Sequence, residues 1–182
     1  MQSSEIIQTA LRTITLQADA LSHLKSYVDE TFEEVVKAIA QMQGRMVISG
    51  IGKSAIIAQK IVATFNSTGT PAIFMHAADA IHGDLGIVQP GDIVMVISKS
   101  GDSPEIKVLV PLVKNFGNLL VGMTGNMQSF LAQNADKVLN TTVSQEACPN
   151  NLAPTTSTTA QMVMGDALAV CLMDLKGFRK EH

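Results

Sequence analysis

An α/β fold, with a doubly wound and mainly five-stranded parallel sheet covered by helices on both faces, is predicted by two observations. Short, continuously apolar runs recur along the chain, and stretches of helical periodicity separate them. The runs are Met46–Ser49, Ala72–Met75, Ile93–Ile97, Leu119–Gly122 and Val138–Val143. A strand buried on both faces reads this way, whereas a strand with one wet face alternates. Helices are expected between them over 53–67, 76–84, 104–116 and 126–135. That succession is the pattern of βαβ units.

Before the first strand, Ile7, Leu11, Ile14, Leu21 and Leu24, then Val35, Val36, Ile39 and Met42, recur at helical spacing. Two helices are therefore predicted over 4–42. The last helix, about 158–176, is apolar nearly all round, from Met162 to Leu175. A surface helix does not have that composition, so it is expected to run through the domain centre, to meet another subunit, or both.

The 182 residues suffice for one core but not comfortably for two, so a single domain over 1–182 is expected, with helices over 1–42 and the αβα core over 43–182. Hydrophobic residues make up 46% and charged residues 16%, a balance suited to a chain that hides surface between subunits. Thirteen basic and sixteen acidic residues, with no basic stripe, argue against nucleic acid, as do the absence of Trp and the single Tyr. No apolar run is long enough to cross a bilayer, so no membrane partner is expected, and Met1–Glu5 does not open a signal peptide. Cys148 and Cys171 form neither a disulfide framework nor a C-x-x-C pair, which fits a reducing cytoplasm.

The chemistry concentrates in strand-to-helix turns. Ser98-Lys99-Ser100-Gly101-Asp102-Ser103-Pro104-Glu105 follows an apolar strand and opens a helix. It gathers backbone N–H groups, a helix N-terminus and three hydroxyls, which suit a phosphate. The plain alternative explains part of it: Ser103 as N-cap, Pro104 at the first helical position and Glu105 in the first turn. Ser98 and Ser100 are then left over.

Ser49-Gly50-Ile51-Gly52-Lys53-Ser54 is a second turn of the kind. It superficially matches a dinucleotide fingerprint, but no acid for a ribose closes the next strand. A Walker A loop fails as well, because Val47 stands where its first glycine belongs. What remains is a glycine turn open to a ligand with Lys53 as a positive charge, or an ordinary tight turn with an exposed lysine. At the start of the last helix, Thr155-Thr156-Ser157-Thr158-Thr159 offers more hydroxyls than one cap requires, so an anion site is set against a cap with spare threonines. His76 and His82 are six residues apart, which does not match the i, i+4 spacing of a helical metal pair. His82 can instead carry a proton, or be structural.

Taken together, Ser49–Ser54, His82-Gly83-Asp84-Leu85-Gly86, Ser98–Glu105, Glu146-Ala147-Cys148-Pro149 and Leu152-Ala153-Pro154-Thr155-Thr156-Ser157-Thr158-Thr159 resemble the D-arabinose 5-phosphate isomerases of the sugar isomerase (SIS) domain family. The resemblance extends from about residue 40 to 178, and its most specific part is the pairing of the last two segments. It implies a flavodoxin-like SIS fold and interconversion of D-ribulose 5-phosphate and D-arabinose 5-phosphate through an enediol. That step leads to Kdo, the eight-carbon sugar acid of lipopolysaccharide and some capsules. No cofactor is implied. A homotetramer is, and Kdo or its nucleotide derivative is implied as a regulator.

By the same resemblance Lys53, Glu105 and Glu146 are expected at catalysis and His82 at the substrate; the enediol chemistry adds His82 to the catalytic group, with His82 or Glu146 moving the carbon-bound proton. Ser49, Gly50, Gly69, Thr70, Ser98, Ser100, Ser103, Thr142, Val143, Ser144, Thr155, Ser157 and Thr158 are expected at the substrate and its phosphate, with the stretch 108–117. His76 matches a zinc-associated position, the metal being dispensable for turnover and, if anything, inhibitory. Two departures stand out. The family usually carries a His-Pro-Gly-Gly segment and then a CBS regulatory pair; neither is present by His182, which falls short of that histidine's position. The expectation is a domain without CBS modules, natural or cut. Lys99 stands where the family more usually has Asn. A non-catalytic sugar-phosphate sensor and an isomerase of another phosphosugar are the rival readings.

Overall fold

The computed structural model describes residues 3–177. Met1 and Gln2, and the terminal His182 weighed above, lie outside the described residues. The helices are α1 (Ser3–Leu24), α2 (Glu30–Gln41), α3 (Lys53–Ser67), α4 (Ala77–Ala80), α5 (Pro104–Asn115), α6 (Phe130–Asn134) and α7 (Thr156–Lys176). The strands are β1 (Met46–Gly50), β2 (Ala72–His76), β3 (Ile93–Ser98), β4 (Leu119–Thr124) and β5 (Lys137–Asn140). They form one parallel sheet in the order β2-β1-β3-β4-β5. The predicted doubly wound α/β fold is the one observed.

Side chains alternate across each strand and so build two cores. Met46, Ile48, Ile93, Met95, Ile97, Val121 and Met123 face α1, α2, α3 and α7; Val47, Val94, Val96 and Leu120 face α4, α5 and α6. Both faces are dry, which is why the strands read as continuous apolar runs. The last helix runs through the domain as expected on one side, packing on α3, α1 and α2, while Val170 and Leu175 are exposed on this chain. At Gly165 a Cβ would stand 2.5 Å from Ile61 side-chain carbons, so α3 and α7 meet without a spacer. The Lys60–Asp166 ion pair joins the same helices.

Three boundaries differ from expectation, each for a local reason. β5 stops at Asn140 rather than Val143 because the Asn140 Oδ1 accepts from the Thr142 N–H (2.9 Å) and hydroxyl (2.6 Å), an Asx turn that bends the chain off the sheet. The helix expected over 76–84 is only α4, followed by a 3-10 turn at Asp84–Ile87, since Gly83 at φ +131° breaks the spiral between them. α6 starts at Phe130 because Ser129 caps it, and residues 126–129 form a turn on the Asn126 side chain.

Candidate active site

In a parallel sheet every segment that follows a strand begins at the same edge. The carboxyl edge therefore receives the turns after β1, β2, β3 and β5. After β1 the chain turns to one face to make α3, and after β3 it turns to the other to make α5. Neighbouring strands whose connections leave in opposite directions open a crevice between them, the topological switch point of such sheets. One wall is Ser49-Gly50-Ile51-Gly52-Lys53, with Ser49 buried and Lys53 exposed at the first turn of α3. The other is the serine loop, with Glu105 half-buried at the first turn of α5.

Each serine of that loop is used locally as an acceptor. Ser98 Oγ takes the Gly101 N–H (3.0 Å), Ser100 Oγ the Asp102 N–H (3.3 Å), and Ser103 Oγ caps α5 through the Ile106 N–H (3.5 Å). The plain cap reading of Ser103 is thus correct, and it does not exclude the other. A hydroxyl that accepts still has its own hydrogen to donate, so the loop is shaped by its serines while their O–H groups stay available.

A long connection from β5 to α7 covers this edge. It leaves β5 along the end of β4, through Thr141 N–H to Thr124 O (2.8 Å) and the Thr142 hydroxyl to Gly125 O (3.1 Å). It then reaches the end of β3, where Lys99 Nζ lies 2.8 Å from Glu146 Oε1. It finishes at α7, which is joined to the start of α3 by the Ser54 hydroxyl donating to Gln161 Oε1 (3.3 Å).

Glu146 is the best-anchored acid of the edge, its side chain having no solvent exposure. Its Oε2 accepts from Thr155 N–H (2.8 Å), the Thr155 hydroxyl (3.2 Å) and Ser157 N–H (3.1 Å), and its Oε1 from the Ser157 hydroxyl. Burial by itself pushes this carboxyl up, but the Lys99 ammonium, the Ser157 hydroxyl and the Thr155 and Ser157 N–H groups outweigh it and hold it down at about 2. Here the structure departs from expectation. The Thr155 and Ser157 donors read as a phosphate cradle are directed at a carboxylate of the chain itself. Thr158 is likewise turned inward, its hydroxyl donating to Thr155 O (2.9 Å).

The same connection holds Cys148, whose sulfur accepts from Ala153 N–H (3.1 Å) and Leu152 N–H (3.0 Å); those donors lower its thiol below the usual value. His82 is exposed in the segment that packs on α5. His76 ends β2, and its Nδ1 accepts from Ala78 N–H (3.3 Å). Among the described residues no three His, Cys, Asp or Glu side chains converge to hold a metal.

Residues 39–171 match the SIS domain. The chain belongs to the SIS domain family. Arabinose 5-phosphate isomerase KdsD of Pseudomonas aeruginosa is 45% identical over 180 residues, 99% of this chain and 55% of the relative. The KdsD of Yersinia pestis is 48% identical over 174 residues, 96% and 53% of the two. The chain spans about half the length of the curated relatives it matches. A protein of Escherichia coli CFT073, solved in complex with arabinose 5-phosphate, superposes with a TM-score of 0.95 at 38% identity, over 100% of this chain and 96% of that one.

The SIS fold gathers most of the expected residues at one edge: Ser49, Gly50, Lys53, His76, His82, Ser98, Ser100, Ser103, Glu105, Glu146, Thr155, Ser157 and Thr158. Thr142, Val143 and Ser144 lie further along it, facing Asp19 and His23 of α1 across a hollow of about 340 Å³. Gly69 and Thr70 are not brought to this edge. They precede β2 at the opposite one, where Thr70 is buried and its Oγ1 accepts from Lys176 Nζ (3.1 Å). The stretch 108–117 also runs down α5 away from the crevice. Within one SIS chain these two groups belong to different edges.

Two contributors escaped the sequence reading. Gln161 pins Ser54 beside Lys53, and Asn151, at φ +53°, accepts the Glu146 N–H on its Oδ1 (2.7 Å). The Pro149-Asn150-Asn151 turn was a usable signal, since Asn tolerates positive φ. Gln161 carried none, being one polar residue in an apolar helix.

Proposed function

We propose that this SIS domain is the catalytic unit of an arabinose 5-phosphate isomerase, interconverting D-ribulose 5-phosphate and D-arabinose 5-phosphate on the way to Kdo. One observation carries the reading. The crevice between β1 and β3 has a lysine on one wall and, on the other, a carboxylate with three serines whose hydroxyl hydrogens are left to donate. Support comes from the names of the KdsD relatives and from the arabinose 5-phosphate bound to the structural neighbour.

An aldose–ketose isomerisation moves one proton between C1 and C2 and another between O1 and O2, through an enediol whose oxyanion needs a positive partner. The Ser98, Ser100 and Ser103 hydroxyls hold the phosphate and so align the sugar. Lys53 stabilises the oxyanion and Glu105 shuttles the hydroxyl proton. Of the two expected carriers of the carbon proton, His82 is preferred. A carboxyl held at about 2 has little affinity for a proton at neutral pH, while an imidazole takes and returns one readily.

The assay is incubation of the pure protein with D-arabinose 5-phosphate while D-ribulose 5-phosphate is followed. Lys53→Met and His82→Ala should each lower kcat by roughly 10²- to 10⁴-fold. Near-normal turnover in both sinks the assignment, and saturable binding without conversion makes the protein a sensor instead. Turnover without a cofactor is part of the proposal, so chelation should leave kcat unchanged or raise it, and a fall restored by zinc would contradict this. Self-association into a tetramer is proposed too, supported by the exposed Ile7, Leu11 and Ile14 along one face of α1. A cytoplasmic location and control by Kdo or its nucleotide derivative complete the reading.

A further inference from the structure

Two loops meet over the crevice, and an ion pair joins them. In the serine loop the backbone of Lys99 is held in place: its carbonyl accepts from Gly125 N–H (3.1 Å) and from the Thr124 hydroxyl (3.3 Å) at the end of β4. The β5–α7 connection carries Glu146, fixed in turn by the Asn151 side chain on its N–H and by the first turn of α7 on its carboxylate. Between these two rigid backbones runs the Lys99–Glu146 ion pair at 2.8 Å. The partners are unlike in exposure, 46% for the lysine side chain and 0% for the glutamate. The lysine therefore stands at the border, one end in the solvent-facing loop and its ammonium on a carboxylate that has no water.

An exposed lysine paired with an exposed acid would carry no such meaning, because surface pairs hold little. A dry carboxylate is different: removing its cation leaves a buried charge to be met by neutral donors alone, and the segment around it must shift or take up a proton. Lys99 has three N–H donors, so bonding Glu146 leaves it able to bond a ligand as well.

We propose that Lys99 is a positioning residue of this site, tying the serine loop to Glu146 and thereby fixing the β5–α7 connection over the crevice. Only its kinetic readout rests on the isomerase reading. Glu146 in this view is the buried anchor of the connection rather than a proton carrier. The titratable groups set against it are the Lys99 ammonium and, on its own loop, the Cys148 thiol.

The test compares Lys99→Met, Lys99→Arg and Glu146→Gln, singly and with Lys99→Met combined with Glu146→Gln. Lys99→Met should lower kcat/KM by about 30- to 100-fold, as expected for misplaced groups, whereas Lys99→Arg should stay within about threefold. Because the two side chains act as one unit, Glu146→Gln should cost less than about threefold further once Lys99 is Met. Independently of turnover, the ¹³C resonance of the Glu146 carboxyl, assigned by its loss in Glu146→Gln, should titrate about one unit or more higher in Lys99→Met. Multiplicative losses in the double variant, or an unmoved titration midpoint, overturn the proposal. If the wild type turns over no arabinose 5-phosphate, the isomerase reading fails by itself and the carboxyl titration alone decides Lys99.

Discussion

The two edges of the sheet are built from similar residues and put them to opposite use. At the amino edge, polar side chains close the starts of strands. Asp92 accepts from Arg45 N–H (2.7 Å) and Gln89 N–H (2.9 Å), Asn66 both accepts from and donates to the Ala72 backbone (2.8 and 2.9 Å), and Asp136 accepts from Leu120 N–H (2.8 Å). The hollow of about 410 Å³ at this edge, between the end of α2 and the start of β3, has Asp92 as its acid, already committed in this way. At the carboxyl edge the buried Ser49 and Thr156 hydroxyls and the Gln161 amide nitrogen have no partner among the described residues. Buried polar groups are nearly always paired, so the two edges differ in how far the chain's own atoms meet that need among the described residues. One edge is spent on holding the fold, and the other keeps donors in reserve.

Substitutions can break that contrast, and the amino edge should show the largest stability loss. Asp92→Ala strips two part-buried N–H groups and the Arg45 guanidinium of their buried acceptor, for an expected loss of about 3 kcal/mol in urea denaturation with turnover per folded molecule unchanged. A loss under about 1 kcal/mol would remove the distinction. Glu146 gives the next effect, and its sign follows from its depressed carboxyl. Because the folded value of about 2 lies below the ordinary 4.5, its stabilisation is complete above pH 4.5 and disappears as the pH falls toward 2, by about 3 kcal/mol in all. Stability of wild type minus Glu146→Gln, measured from pH 6 to pH 2.5, should shrink over that window; a constant difference would refute the anchoring. The smallest effect separates two glycines in open space. Gly52, at φ +59° and ψ −131° in the lysine turn, should cost about 2 kcal/mol as Ala, against about 1 kcal/mol for Gly117, which ends α5 at φ +75°. Equal costs in thermal melts would mean that the lysine turn holds no special conformation.

The sheet was legible because burial on both faces writes itself into composition: Ile93–Ile97 admits no other reading once both its neighbours are known to be strands. Lys53, Ser103 and Glu105 were legible for a related reason, since strand-to-helix turns have local chemistry. What was not legible is contact at a distance. Lys99 and Glu146 are 47 positions apart, both in irregular segments with no period to align them, and nothing local says that an acid in a loop will be dry. The same blindness let Thr155 and Ser157 pass as donors for a ligand, because the carboxylate they serve arrives from another loop. Asn140 misled at shorter range: its run of Thr and Val favours a strand, and its own side chain ends one.

The missing Cβ at Gly165 has a mechanical consequence. With Ile61 seated directly on the α7 backbone and Lys60 bonded to Asp166 alongside it, α3 and α7 cannot slide or roll against each other without collision. The lysine turn and the helix end that grips Glu146 are thus mounted on a single immobile jaw. The Lys99–Glu146 pair carries that mounting across the crevice to the serine loop, so both walls are referred to one frame.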